Sequence, residues 1–152
     1  GPTPAKVTLT ASGRLDAAGH FFTTGDTPKL VYTATTGLGQ ARCAVGAVST
    51  VIDAGEPLDL LWVAKDLHTR GVRRLMVEGG GRTLTQFLTA WLADELDLVV
   101  APLFVGDSRG RRFVADGAFP WHTGHRATLA DVRQIGDVAL LRYALSTRFA
   151  PA

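Results

Sequence analysis

The feature that most constrains this chain lies near its middle, where the apolar run Val72 to Val77 ends in Glu78-Gly79-Gly80-Gly81 and leads directly into a second patterned segment. Beyond the glycines, Leu84, Phe87, Leu88, Trp91 and Leu92 recur at i, i+3, i+4, i+7 and i+8, the spacing of one buried stripe on a helix. Leu96 to Ala101 follows as a nearly unbroken apolar run, which reads as a strand covered on both faces. Residues 72–101 therefore predict a strand, a glycine loop, a helix and a second strand, and with them an α/β fold.

The flanking regions are consistent with that class. Upstream, Lys6 to Thr10, Lys29 to Ala34 and Val48 to Asp53 read as short strands parted by the turn chemistry of Ser12-Gly13-Arg14, Thr24-Gly25-Asp26 and Thr36-Gly37, with no helix expected between them. A helix is predicted over Leu58–Thr69, with Pro57 at its start, Leu60, Leu61, Ala64 and Leu67 as its apolar face, and Gly71 as its stop. Downstream, Thr128 to Arg133 and Val138 to Leu145, joined through Ile135-Gly136-Asp137, predict an antiparallel hairpin. With 152 residues and no repeat or linker, residues 1–152 read as one domain.

Composition narrows the function classes. Apolar residues make up 46% and charged residues 20%, the balance of a soluble globular chain. The net charge is +2 with both signs interspersed, so no basic stripe marks a nucleic-acid face. No apolar run approaches the roughly 18 residues of a membrane helix, and a cytoplasmic location is the expectation. The lone Cys43 has no disulfide partner and reads as a small buried or loop residue. His20, His68, His122 and His125 share no ligand spacing, so no metal is expected, and Ser12 and Ser49 lack a nucleophile-elbow context. Trp62 and Trp91 are placed on helices as packing residues. Arg109, Arg111 and Arg112 read as a solvated turn, with contact to a phosphate as the alternative.

The glycine loop is where chemistry is expected. Glycine lets the backbone approach a ligand closely, and the unpaired N–H groups and dipole at a helix start favour an anion. The hydroxyls of Thr83 and Thr85 are candidates to complete a phosphate cradle; the alternative is a loop that merely makes a tight turn. The pattern is neither GxGxxG nor a P-loop. Glu78, at the carboxyl edge of the predicted sheet, is a candidate for substrate contact, the alternative being a carboxylate that accepts from neighbouring loop amides.

The run Leu75-Met76-Val77-Glu78-Gly79-Gly80-Gly81-Arg82-Thr83-Leu84, followed at the appropriate spacing by Ala93-Asp94-Glu95-Leu96 and Ala101-Pro102-Leu103-Phe104-Val105-Gly106, resembles the reductase domain of the riboflavin-biosynthesis deaminase/reductase family. Ile135-Gly136-Asp137-Val138-Ala139-Leu140-Leu141 resembles that family's last hairpin, and the segment from Pro4 to Asp16 its mid-domain strand and turn. Thr10 stands where many members carry Asp, and the family's amino-terminal Ser-Leu-Asp-Gly segment has no counterpart here, so the domain is expected to lack its amino-terminal part.

The resemblance implies a dihydrofolate reductase-like α/β domain: a mainly parallel central sheet flanked by helices, closed by the carboxy-terminal antiparallel hairpin. It implies NADPH as cofactor, a ribosylamino-pyrimidine or a related pyrimidine or pterin as substrate, and a homodimer. By the same resemblance Glu78 contacts substrate; Gly79, Gly80, Gly81, Arg82, Thr83, Leu84, Thr85 and Gln86 bind cofactor, and Ala11 and Ser12 lie near it. No catalytic residue is assigned. The competing reading is a non-catalytic dinucleotide-binding or scaffold module with a reductase-like fold.

Overall fold

The computed structural model describes residues 4–149, and the chain divides between Arg73 and Arg74 into two compact units. The first contains β1 (Lys6–Thr10), α1 (His20–Thr23), β2 (Lys29–Thr33), a 3-10 turn (Thr35–Gly37), α2 (Leu38–Val45), β3 (Thr50–Asp53) and α3 (Leu60–Thr69). The second contains α4 (Gly81–Thr89), β4 (Glu95–Val100), β5 (Thr128–Ile135) and β6 (Val138–Ala144). The fold is mixed α/β, as the sequence implies, with its parallel strands in the first unit and its antiparallel strands in the second.

In the first unit β1, β2 and β3 pair in that order, all parallel, with Val7 opposite Leu30 and Val31 opposite Val51. The central strand β2 is buried on both faces, as its run Leu30-Val31-Tyr32-Thr33 requires. Its alternation sorts two layers. Leu30 and Tyr32 pack with Ala54, Val63 and Leu67 on the α3 side, whereas Val31 packs with Phe22 of α1 and Val45 of α2 on the other.

The three upstream strands form close to where the sequence predicts them, but the expectation of no intervening helix fails at α1 and α2. Gly37 and Gly39 flank the start of α2, and each glycine inside a helix costs about 1 kcal/mol relative to alanine, so local propensity argues for a turn. Tertiary packing overrides it: Ala41 and Val45 are buried, and the turn at Gly13 closes on the helix. A Cβ on Gly13, whose φ is +69°, would come 2.8 Å from the Ala41 amide nitrogen. Cys43 is exposed on this helix, correcting its expected placement in a core or loop.

Helix α3 forms within the predicted span, but its cap is Asp59 rather than Pro57: Asp59 Oδ1 accepts from the Trp62 amide at 3.0 Å. Of the expected apolar face Leu67 is buried, but Leu61 is 51% exposed and Val63, one turn before Leu67, takes the buried position, while Gly71 at φ +91° ends the segment as predicted. Beneath α3 the buried Tyr32 hydroxyl donates to Asp66 Oδ2 at 2.6 Å, and Arg70 Nε donates to the same oxygen at 2.6 Å. Burial, and then the bond to Asp66, push the Tyr32 phenol well above its ordinary pKa. Burial also acts to raise Asp66, but the hydrogen bonds from Arg70 and Tyr32 outweigh it and hold the carboxyl below its usual range.

In the second unit the order is β4-β6-β5, antiparallel throughout, and β5 and β6 make the predicted hairpin with Gly136 at φ +61° in its turn. Arg142 on β6 donates to Glu95 and Asp97 across the β4 pairing, and Arg74 Nη2 donates to Glu95 at 2.9 Å. Two expectations are corrected here. Residues 72–77 are not a strand, because among the described residues their backbone has no ladder partner, and Met76 is exposed. Strand β4 is not covered on both faces, with Val99 and Val100 more than half exposed, and among the described residues it pairs only with β6. The expected strand-helix-strand unit therefore reduces to α4 and β4.

Candidate functional site

Helix α4 begins where the three glycines end. Gly80 is extended (φ −67°, ψ 161°) and serves as the N-cap residue, and among the described residues no side chain caps the helix. The amides of Thr83 and Leu84 both donate to the Gly80 carbonyl, at 3.0 and 3.4 Å. Those of Gly79, Gly80, Gly81 and Arg82 have no acceptor among the described residues, leaving four donors at the positive end of the helix. The space in front of Gly80 is open, since a Cβ there would meet nothing within 4 Å. A row of unspent amides at an open helix start suits a phosphate or diphosphate, and the Thr83 hydroxyl, likewise without a partner among the described residues, can add a donor.

The other face of the same helix is closed by residues 112–119. Gly81, Thr85 and Thr89 recur every fourth residue and so share one side of α4. A Cβ on Gly81 would come 2.9 Å from the Arg112 carbonyl oxygen, and one on Gly117 would come 2.9 Å from the Thr89 methyl. Between them the Ala115 amide donates to Thr85 Oγ1 at 2.7 Å, and Thr85 Oγ1 donates to the Gly81 carbonyl at 2.6 Å. The one hydroxyl proton of Thr85 is thus engaged within the unit in this structure. Leu84 and Gln86 follow on the helix, where their amides are likewise engaged. Sequence reasoning missed the packing of 112–119 against the helix; the four-residue spacing of Gly81, Thr85 and Thr89 was its available signal.

Glu78 precedes the glycines in the exposed stretch without a ladder partner, so it does not stand at a sheet edge as expected. Ala11 and Ser12 lie in the first unit, exposed just beyond the carboxyl end of β1, where Ser12 Oγ accepts from the Arg14 amide at 3.3 Å. The carboxyl ends of β2 and β3 carry a polar network. Asp53 Oδ1 accepts from the Gly55 amide and the Thr35 hydroxyl, and Glu56 Oε2 from the Thr36 amide and hydroxyl. These hydrogen bonds, the backbone one leading in each case, hold both carboxyls below their ordinary pKa.

Trp91 is not on α4, as expected, but just beyond it at φ +57° and 59% exposed. Its indole stacks on His125 with ring centroids 6.1 Å apart and lies 5.8 Å from Trp121. His122 and His125 bridge each other through their backbones, and among the described residues no three potential ligands converge on a metal position.

The RibD C-terminal domain family matches residues 2–141. A 2,5-diamino-6-ribosylamino-4(3H)-pyrimidinone 5′-phosphate reductase of Archaeoglobus fulgidus is 40% identical over 62 residues, 41% of this chain and 28% of that protein. Its namesake in Methanothermobacter thermautotrophicus is 37% identical over 67 residues, 44% of this chain and 31% of that protein. The chain matches less than a third of the length of either. Among solved structures, a pyrimidine reductase-like protein of Corynebacterium diphtheriae aligns with a TM-score of 0.72 at 23% identity, covering 93% of this chain and 60% of that one. RibD of Acinetobacter baumannii aligns with a TM-score of 0.69 at 21% identity, covering 91% and 36%. At these identities the structural likeness shows the fold.

Proposed function

Because the chain belongs to the RibD C-terminal domain family, we propose that it is the cofactor-holding part of a reductase that acts on a ribosylamino-pyrimidine phosphate, with NADPH as the hydride source. The observation that carries this reading is the row of unspent amides from Gly79 to Arg82 at the open start of α4. In this role Gly79, Gly80, Gly81 and Arg82 hold the cofactor's diphosphate through their N–H groups, and the Thr83 hydroxyl adds a donor. Glu78 contacts the pyrimidine. When bound, the nicotinamide supplies the hydride; the task of this chain is to orient it and to keep water out. The protein acts in the cytoplasm as a homodimer.

Titrating the full-length protein with NADPH, followed by thermal shift, tests the cofactor assignment: saturable stabilisation is expected, and none at millimolar NADPH overturns it. Loss of the NADPH absorbance on adding a ribosylamino-pyrimidine phosphate then tests turnover. A second reading is favoured by the short span matched in the curated relatives: a dinucleotide-binding module that no longer reduces anything. Saturable binding without oxidation of NADPH is the outcome that selects it.

A further inference from the structure

At the far end of α4 from the glycine loop, the second unit gathers side chains that the proposed reductase site does not use. Helix α4 has nine residues, a rise of about 14 Å, and Trp91 follows its last turn. Trp91 takes a left-handed backbone (φ +57°) at a helix end where glycine is usual, and its indole packs against Trp121 and His125 with ring centroids 5.8 and 6.1 Å away. The turn that carries those partners is itself fixed: His122 and His125 exchange both backbone hydrogen bonds, and His125 Nδ1 donates to the Pro120 carbonyl at 2.8 Å. On this turn lies a recess of about 250 Å³ lined by Trp121, His122, Arg126, Ala127 and Tyr143.

The lining is one-sided in charge. No carboxylate belongs to it, and Arg126 enters none of the ion pairs among the described residues. The Gly124 amide donates to His122 Nδ1 at 3.1 Å, so the neutral ring carries its proton on Nε2 and offers a second donor. We propose that this recess is a second ligand site, for a single-ring aromatic acid: the ring packs on Trp121 and Tyr143, and its phosphate or carboxylate engages Arg126, with His122 Nε2–H as a further donor. The planar fork of an arginine matches either acid group, and indole and phenol faces take a ring in offset or edge-on packing. The recess is smaller than the roughly 300–1,000 Å³ of pockets for larger ligands, which selects one ring over a dinucleotide. The site lies at the opposite end of α4 from the glycine loop, so the inference does not depend on the cofactor reading.

The test is titration of the full-length protein, labelled with 5-fluorotryptophan, with phenyl phosphate, benzoate and benzyl alcohol, following the fluorine resonance of Trp121, which is identified by its loss in Trp121→Phe. Phenyl phosphate, benzoate or both are expected to shift that resonance saturably, with Kd on the order of 1 mM for so small a ligand. Which of the two does so names the acid group. Benzyl alcohol, which keeps the ring and lacks the charge, is expected to bind at least tenfold more weakly. Arg126→Gln is expected to weaken the acids about tenfold, the scale of one charge-assisted contact, and Arg126→Lys less, since it keeps the charge and loses the fork. Because Arg126 is exposed and unpaired, both variants are expected to melt as the original protein does. No shift from either acid at tens of millimolar overturns the proposal, as does an equal response to benzyl alcohol or undiminished affinity in Arg126→Gln. None of these outcomes bears on NADPH binding at the glycine loop, so failure here leaves the proposed function standing.

Discussion

Two adjacent glycines in the loop have different physical reasons for being glycine, and the difference is measurable. Gly80 has an extended backbone that any residue adopts and open space where a Cβ would go. Gly80→Ala is therefore expected to leave stability within about 0.5 kcal/mol of the original. Because the methyl is added within the row of amides proposed to hold the diphosphate, the same variant is expected to weaken NADPH at least tenfold by titration; unchanged affinity would remove the loop from the cofactor site. Gly81 is the reverse case, since a Cβ there meets the Arg112 carbonyl oxygen at 2.9 Å. Gly81→Ala is expected to cost about 1–2 kcal/mol in chemical denaturation, because backbone must shift to admit the methyl. The triplet was legible in the sequence; which glycine faces a ligand and which faces the protein was not, because that depends on a segment some thirty residues further along. Thr85 shows the same limit: its spacing suits a phosphate, but a distant amide, that of Ala115, takes its oxygen.

Among the elements, those whose sequence pattern and tertiary partner agree were readable, and those that depend on the partner were not. Helix α3 agrees in its span and in the burial of Leu67, but its buried face is turned from the expected one: Leu61 is exposed and Val63 is buried in its place, with Asp59 supplying the capping carboxylate. Asp59→Ala is expected to lower stability by about 1 kcal/mol, the value of an N-cap, and Leu67→Ala by about 3 kcal/mol, as for deletion of a fully buried leucine side chain. Denaturant melts of the two variants check both, and equal costs would contradict the assignment of one to a surface cap and the other to the core. Helix α2 is the opposite case: its glycines read as a turn, and burial of Ala41 and Val45 decides for helix. Residues 72–77 fail in the other direction. Their apolar run reads as a strand, but a strand exists only as one side of a hydrogen-bonded ladder, and none of the described residues supplies the other side.

For the molecule as a whole, acid sensitivity is the property the charges predict. Asp53, Glu56 and Asp66 in the first unit and Glu95 in the second all have carboxyls held below their ordinary pKa, the last chiefly by its hydrogen bond from Arg142. A depressed folded pKa contributes stability that is fully present above the unfolded value, about 4 to 4.5 for these groups, and is lost as the pH falls through the lower folded value. Thermal midpoints are accordingly expected to vary little between pH 7 and about 5 on account of these groups and to fall steeply below about pH 4. In Asp66→Asn the acid-dependent part of the loss should shrink, and a profile identical to that of the original protein would contradict the role given to the Tyr32, Asp66 and Arg70 network. What the sequence by itself determined is the α/β class, the three upstream strands, helix α3, the closing hairpin, the glycine loop at a helix start and the family likeness, because each is written in contiguous residues by periodicity, turn chemistry or motif. Only the tertiary structure decided α2, the unpaired state of 72–77, the spent hydroxyl of Thr85 and the packing of Arg112 on Gly81. These depend on which distant backbone groups lie within hydrogen-bonding or contact distance, and local pattern carries no such distances.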